Sequence, residues 1–382
     1  MKKYLFLAAS WIAAGNVWAD DGSSVTLYGL ISTGIGWTSN AGGASLVQEL
    51  SGANANNRWG FAVNENLGGG THAIARLEGG FFGTTGEAGQ NDRLFGRQAY
   101  VGLSDDRYGT LTLGRQYDAI WDFAQLYSVI GATGGLLMSP GDTDDMLGSW
   151  RFSNAVKYAT PTIAGLDGEL MYAFSNDAGA FAVNRAISAG LRYRNGPVEL
   201  AAAYTGMDQP GSASNTSGAV TSDYSGPPFF LYRVSPDGSG VRTQRNLAIG
   251  GRYSLTSRLS ASALFDAVRF RYLDGTGFSL DNYDLSVSYL LMPTFSISGS
   301  YIYSSGRWGG VGANAHWNGA QLMLDYVLSK RTDVYVFDDF QRASGPQASS
   351  SGVPMAVADT YLNAPSTTQS QNMIVIGIRH KF

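Results

Sequence analysis

The 382-residue chain has no cysteine, three histidines and only 15% charged residues. Without cysteine, neither disulfides nor thiolate metal sites are available to hold the fold. The histidines, His72, His316 and His380, stand apart from any GxSxG or HExxH pattern, and nothing places a serine beside one of them. Hydrolytic machinery is therefore not encoded in a recognisable form. Beyond the N-terminus no run of ~18 apolar residues occurs, which excludes transmembrane helices. A formal charge of −4 argues against nucleic acid as a partner.

What the chain does have is glycine (50), tyrosine (21) and phenylalanine (18). That profile suits many strands joined by tight turns, with aromatics bordering an apolar zone. The first residues read as a secretory signal: Lys2 and Lys3, an apolar run from Tyr4 to Ala14, and small residues ending in Val17-Trp18-Ala19. Cleavage after Ala19 would leave 20–382 as one domain with 24 basic and 30 acidic residues, a charge of −6.

Period-two alternation then recurs along the chain. It predicts sixteen strands, near 25–36, 58–65, 71–81, 93–103, 110–116, 151–158, 166–175, 185–194, 198–205, 243–253, 259–270, 282–290, 294–303, 317–328, 332–341 and 371–382. The last is the clearest: Ile374, Ile376, Ile378, His380 and Phe382 share one face. About ten residues with one apolar face is the length that crosses a hydrocarbon layer at a tilt. Connections alternate between short (66–70, 160–165, 195–197, 254–258, 291–293, 329–331) and long (38–57, 117–150, 206–242, 304–316, 342–370). A soluble β-sandwich has no reason for that rhythm, whereas an up-and-down barrel with turns on one membrane side and loops on the other produces it. The expected fold is all-β, a 16-stranded antiparallel transmembrane barrel. An even count puts both termini on the short-turn side.

The 117–150 segment breaks the pattern. It holds Asp118, Asp122, Asp142, Asp144 and Asp145 with Trp121, Phe123, Tyr127 and Trp150, has neither period, and is bracketed by Arg115 and Arg151. A connection of roughly 30 residues is uncommon unless it is functional or disordered, and this composition is not that of disorder.

Several motifs resemble the general porins of Gram-negative bacteria, in their beta-proteobacterial branch. They are Val25-Thr26-Leu27-Tyr28-Gly29, Arg58-Trp59-Gly60, Leu67-Gly68-Gly69-Gly70, Leu94 through Leu103, Leu113 through Asp118, Gly141 through Asp145, Arg151 through Tyr158, Leu328 through Thr332, and Gly377 through Phe382. The resemblance spans the mature chain in order. It implies a homotrimeric, water-filled barrel in the outer membrane whose third loop, here 117–150, folds inward to narrow the pore. The chain departs from the family at Ala62, where an arginine is usual, and at Leu137-Met138-Ser139-Pro140-Gly141, where many relatives carry an acidic turn.

The resulting expectation is a channel for small hydrophilic solutes and ions, in contact with outer-membrane lipid and lipopolysaccharide and needing no cofactor. Alternation turns Arg58, Arg97 and Arg151 inward, matching the family's basic cluster, with Arg76 and Lys157 as additions. Asp142, Asp144 and Asp145, with Asp118 or Asp122, are expected opposite them on the loop, making a transverse field in little water. The bland readings are a structural pinning of the loop by these arginines and a calcium-binding or solvated aspartate cluster. Arg115 suits a subunit contact or the base of the loop. The loop aromatics read as wall packing, or else as the lining of a substrate-specific channel. Long loops 206–242 and 342–370 are polar and are expected to be exposed.

Overall fold

A computed structural model describes residues 22–225, 238–310, 312–346, 356–361 and 363–382. The expected signal segment 1–19 lies outside the described residues. Among the described residues seventeen strands form one closed antiparallel sheet. They are β1 (Ser24–Ala41), β2 (Ala44–Ser51), β3 (Arg58–Gly68), β4 (Thr71–Gly80), β5 (Gln98–Asp105), β6 (Gly109–Gln116), β7 (Phe152–Ala159), β8 (Leu166–Ala173) and β9 (Arg185–Asn195). The circuit continues with β10 (Val198–Asp208), β11 (Val241–Ser254), β12 (Leu259–Tyr272), β13 (Gly277–Met292), β14 (Phe295–Gly309), β15 (Ala313–Ser329), β16 (Thr332–Ser344) and β17 (Ser370–Lys381).

These are sixteen staves, because β2 and β3 share one position in the wall. β2 pairs with the upper part of β1 from Thr33↔Ser51, and β3 with its lower part up to Leu30↔Arg58. Residues 52–57 between them leave the sheet. The expected long loop 38–57 is thus corrected to a hairpin turning at Gly42-Gly43 followed by this break. Likewise 304–316 is mostly strand, β14 and β15 pairing from Trp308↔Ala313 downward. Local alternation does not mark either one: at 304–316 the outward residues Ser305, Arg307, Asn314 and His316 are polar, and in β2 the outward Val47 is flanked by Ser45 and Glu49.

Alternation elsewhere shows which face meets lipid. Along β13, Tyr283, Leu285, Val287 and Tyr289 are exposed while Leu280, Asn282, Asp284 and Ser286 are buried. The exposed leucines, valines and tyrosines of successive strands make an outward apolar band, as a barrel in hydrocarbon requires. Turns on the termini's side are short; Gly68, Gly69 and Gly70 all take positive φ between β3 and β4, a conformation that favours glycine.

Closure occurs between the two ends of the chain. β1 pairs with β17 from Leu30↔Lys381 to Thr38↔Met373. Gly29 N donates to Phe382 O at 3.0 Å and Phe382 N to Gly29 O at 3.1 Å. A Cβ on Gly29 would lie 2.2 Å from the Phe382 ring, so the terminal aromatic needs that glycine. The early-strand glycines therefore serve close approaches inside one subunit: Gly36 lies against Leu50, and Gly79 against the carbonyl of Leu94.

Candidate functional site

The 117–150 segment, a few short helical turns joined by irregular chain, lies against the inner wall. Its path can be followed by hydrogen bonds. Ala119 N donates to Ser188 Oγ of β9 (3.0 Å), and the Thr205 hydroxyl of β10 donates to Asp118. Tyr127 Oη donates to Glu199 on β10 (3.2 Å), and Val129 N to Asp284 on β13 (3.0 Å). Thr133 and Ser300 of β14 share a bond of 2.8 Å, and Gln321 of β15 donates to the carbonyl of Gly134 (2.8 Å). Gly135 N then reaches Asn54 Oδ1 in the 52–57 break (3.1 Å). On the way back, Gln244 and Asn246 of β11 both donate to the carbonyl of Thr143, at 2.9 and 3.1 Å.

Apolar contacts seat the same segment. Ile120, Phe123, Tyr127, Leu137, Met146 and Trp150 are buried, each such side chain contributing about 1.5–3 kcal/mol when fully covered. The wall makes room with glycine: a Cβ on Gly190 would come within 2.7 Å of Ala119 and Phe123, and one on Gly319 within 2.7 Å of Leu137.

The basic residues have distinct surroundings. Arg58 opens β3 facing inward, half-buried, and among the described residues donates only to Asn56 O, at 3.3 Å. Arg97, just before β5, is buried and bonded to Glu78 of β4 at 2.7 Å. Glu78 also accepts from Tyr28 Oη at 2.8 Å. Arg151 is buried and donates to Tyr117 Oη from two nitrogens, at 3.0 and 2.8 Å. Arg76 shares the inward face of β4 with Glu78 and lies 5.5 Å from the Tyr28 ring centroid. Lys157 Nζ contacts Asp122 (2.5 Å), Glu169 (3.7 Å) and the carbonyl of Tyr117 (3.1 Å). Arg115 holds the loop base, donating to Gly96 O (2.7 Å), Ser153 Oγ (2.9 Å) and Asp223.

The loop aspartates turn onto the loop itself and the wall behind it. Asp142 accepts from Leu147 N (3.0 Å) and from the Ser149 hydroxyl; Asp145 accepts from Trp150 N (3.1 Å). Asp144 accepts from Met146 N at 3.4 Å and from Asn282 of β13 at 3.4 Å. Burial and the neighbouring carboxyls push Asp142 and Asp145 well above the usual carboxylate range, and burial raises Asp144. Burial pushes Asp118 up to about 6. Asp122 is the partner of Lys157, partly open to the lumen.

Two lumenal cavities flank the segment. One of ≈ 290 Å³, on the long-loop side, includes Phe82, Leu147, Arg151, Asp223 and Tyr361 in its lining. The other, ≈ 220 Å³, includes Arg58, Trp121, Leu136 and Met146. Gly52, Asn56 and Leu147 belong to both, so the 52–57 break and the returning limb of the loop stand between the two cavities. Asp223 was not anticipated from sequence. It sits in the loop after β10, bonded to Arg93 at 2.5 Å and to Arg115. No local signal marks it, since its partners lie more than a hundred residues away. The described parts of 206–242 and 342–370 are exposed as expected at Ala213, Ser214, Thr216, Ser217, Thr367 and Thr368, whereas Asn215, Asp223, Ala358, Asp359 and Asn363 are buried.

A closed antiparallel barrel with an apolar outer band, a polar interior and a loop drawn across it is a membrane-spanning pore. The chain belongs to the Gram-negative porin family, whose model matches residues 5–345. It is 30% identical over 372 residues to an outer membrane porin protein of Bordetella pertussis, covering 90% of this chain and 94% of that one. Outer membrane porin protein 32 of Delftia acidovorans is 28% identical over 396 residues, covering all of both chains. Among solved structures, an anion-selective porin from Comamonas acidovorans superposes with a TM-score of 0.74 at 22% identity, over 94% of this chain and all of that one. The protein is thus an outer-membrane channel for passive diffusion of small hydrophilic solutes, and its family is one of channels rather than enzymes.

Proposed function

We propose that the narrowest passage lies between residues 52–57 and Leu147, and that it favours anions over cations. The observation carrying this is the lining of the two cavities, which contains Arg58, Arg151 and, among the described residues, a single carboxylate, Asp223. That carboxylate is bridged by Arg93 and Arg115, so four guanidiniums face one carboxylate, a local charge of +3. Little water and low-dielectric walls lengthen the reach of such a charge. Asp142, Asp144 and Asp145 line neither cavity, and burial favours their neutral form, which supports a structural role in holding the loop. In this reading Arg58 and Arg151 act on permeating ions. Arg97 and Lys157, tied to Glu78 and to Asp122, position the wall and loop, and Arg76 extends the basic face below them.

The relative from Comamonas acidovorans is described as anion-selective, in keeping with this sign. A homotrimer is proposed on two grounds. One is a solved trimer form of OmpT from Vibrio cholerae, which shares the fold with a TM-score of 0.67. The other is a polar pair, Asn372 donating to Asp338 at 2.9 Å, on outward positions level with the apolar band of β16 and β17, where a subunit contact suits it better than lipid. Residues 1–19 are proposed as the signal peptide, with cleavage after Ala19. A substrate-specific channel is the second reading and rests on Trp121, stacked 4.7 Å from Tyr117 beside the smaller cavity. Saturable block of current by one solute class would favour it.

The test is the zero-current potential of the purified protein in planar bilayers under a tenfold KCl gradient. An anion-side potential is expected. A cation-side potential would overturn the proposal.

A further inference from the structure

We infer that the smaller lumenal cavity is a binding subsite for monocarboxylates with a compact apolar body, aryl carboxylates above all. The charged part of its lining is cationic. Arg58 is half-buried, and among the described residues its guanidinium has one hydrogen bond, to Asn56 O at 3.3 Å, and no ion pair. A guanidinium so placed has lost water without gaining an anion to offset the loss. Its planar fork matches a carboxylate through two parallel N–H···O bonds.

Donors without partners accompany it. Asn54 is 8% exposed; its Oδ1 accepts from Gly135 N at 3.1 Å, while its Nδ2 is buried with no partner among the described residues. Trp121 is fixed by stacking on Tyr117, 4.7 Å away at 18°, and by the backbone of Gly148, where a Cβ would come within 2.5 Å of the indole ring. The indole N–H makes no hydrogen bond among the described residues. No carboxyl group of the described residues enters the lining. A buried donor left unpaired costs free energy that an acceptor brought in by a solute removes.

The remainder of the lining selects the body of the solute. Ile130 and Leu136 come from the outgoing limb of the loop and Met146 from the returning limb. Leu136 and Met146 are buried and Ile130 is half-buried. Apolar walls with a few placed polar groups are what hold small amphiphilic molecules. An apolar cavity of about 150 Å³ admits a benzene ring, so ≈ 220 Å³ leaves space for a carboxylate beside one. A second carboxylate would lie against leucine and methionine without a partner, which disfavours dicarboxylates. The inference rests on Arg58 acting on permeating anions and adds the class of anion that is retained there.

The experiment is titration of the KCl current through the purified protein in planar bilayers with benzoate, acetate, succinate and benzyl alcohol, at constant ionic strength and neutral pH. Benzoate should half-block the current at a concentration about tenfold below acetate, since seating the ring takes roughly 60 Å² more apolar surface out of water. Succinate should block no better than acetate, and uncharged benzyl alcohol should not block. Arg58→Gln should weaken the benzoate block about tenfold. Ile130→Asn should bring benzoate and acetate to within about threefold of each other; gel mobility checks that both variants fold. Equal block by benzoate and acetate, block by benzyl alcohol at the benzoate concentration, or a benzoate block undiminished in both variants would overturn the inference. With an anion-side zero-current potential it would fall alone, whereas a cation-side potential would overturn it together with the selectivity.

Discussion

Replacing Arg58 by glutamine isolates one charge at the proposed narrow passage with little structural penalty, because among the described residues its guanidinium makes a single 3.3 Å bond, to Asn56 O, and no ion pair. A unit charge about 5 Å from a permeating ion in water contributes ~0.8 kcal/mol. In ~0.1 M salt, with a Debye length of about 10 Å, screening leaves ~0.5 kcal/mol. Removing the charge raises the energy of an anion and lowers that of a cation by this amount, a difference of ~1 kcal/mol. The anion-to-cation permeability ratio should therefore fall about fivefold. In ~1 M salt the Debye length is about 3 Å and the same variant should differ by less than about twofold. Arg58→Lys should keep most of the preference. The assay is the reversal potential across a planar bilayer at both mean concentrations. A ratio unchanged at low salt, or a change equally large at high salt, would refute the electrostatic reasoning.

Changing Asp142, Asp144 and Asp145 together to asparagine should alter the reversal potential little, since burial already favours their neutral forms; a large shift toward anions would return them to the passage. Asp118 is held up at about 6, above the ~3.9 of an unfolded chain. Its contribution is therefore fully present below pH ~4 and is lost as pH rises through 6. Asp118→Asn should melt higher than the parent at pH 8, by up to ~3 kcal/mol, and no higher near pH 4; equal melting at pH 8 would count against burial as the cause. Gly190→Val should push Ala119 and Phe123 off the wall and widen or destabilise the passage, seen as altered single-channel conductance; Gly190→Ser, also carrying a Cβ, should do so to a lesser degree. Gly29→Leu should block seating of the Phe382 ring and lower the folded yield in a gel-mobility assay; undiminished yield would show that the seam tolerates a side chain there.

What the sequence determined by itself is the wall. A strand crossing hydrocarbon must repeat every two residues and put apolar side chains outward, so Leu285, Val287 and Tyr289 announce both their strand and its lipid-facing side. The inward direction of Arg58 follows from the same local rule, as do short turns such as Gly68 to Gly70. Where that constraint lapses, local reading lapses with it. The outward faces of 304–316 and of Ala44 to Ser51 carry polar residues such as Arg307, Asn314 and Glu49, so no alternation marks these strands. The interior was decided by tertiary structure. The segment from Tyr117 to Trp150 has no period of its own, and its aspartates could be aimed only once Gly190, Gly319, Gln244 and Asn282 had been brought around the barrel to receive it. Asp223 meets Arg93 and Arg115 through closure of the whole sheet. The charge balance of the passage depends on such distant pairings, because each opposite-charge pair, and each carboxyl that burial keeps neutral, takes a charge out of the field that an ion in the lumen feels.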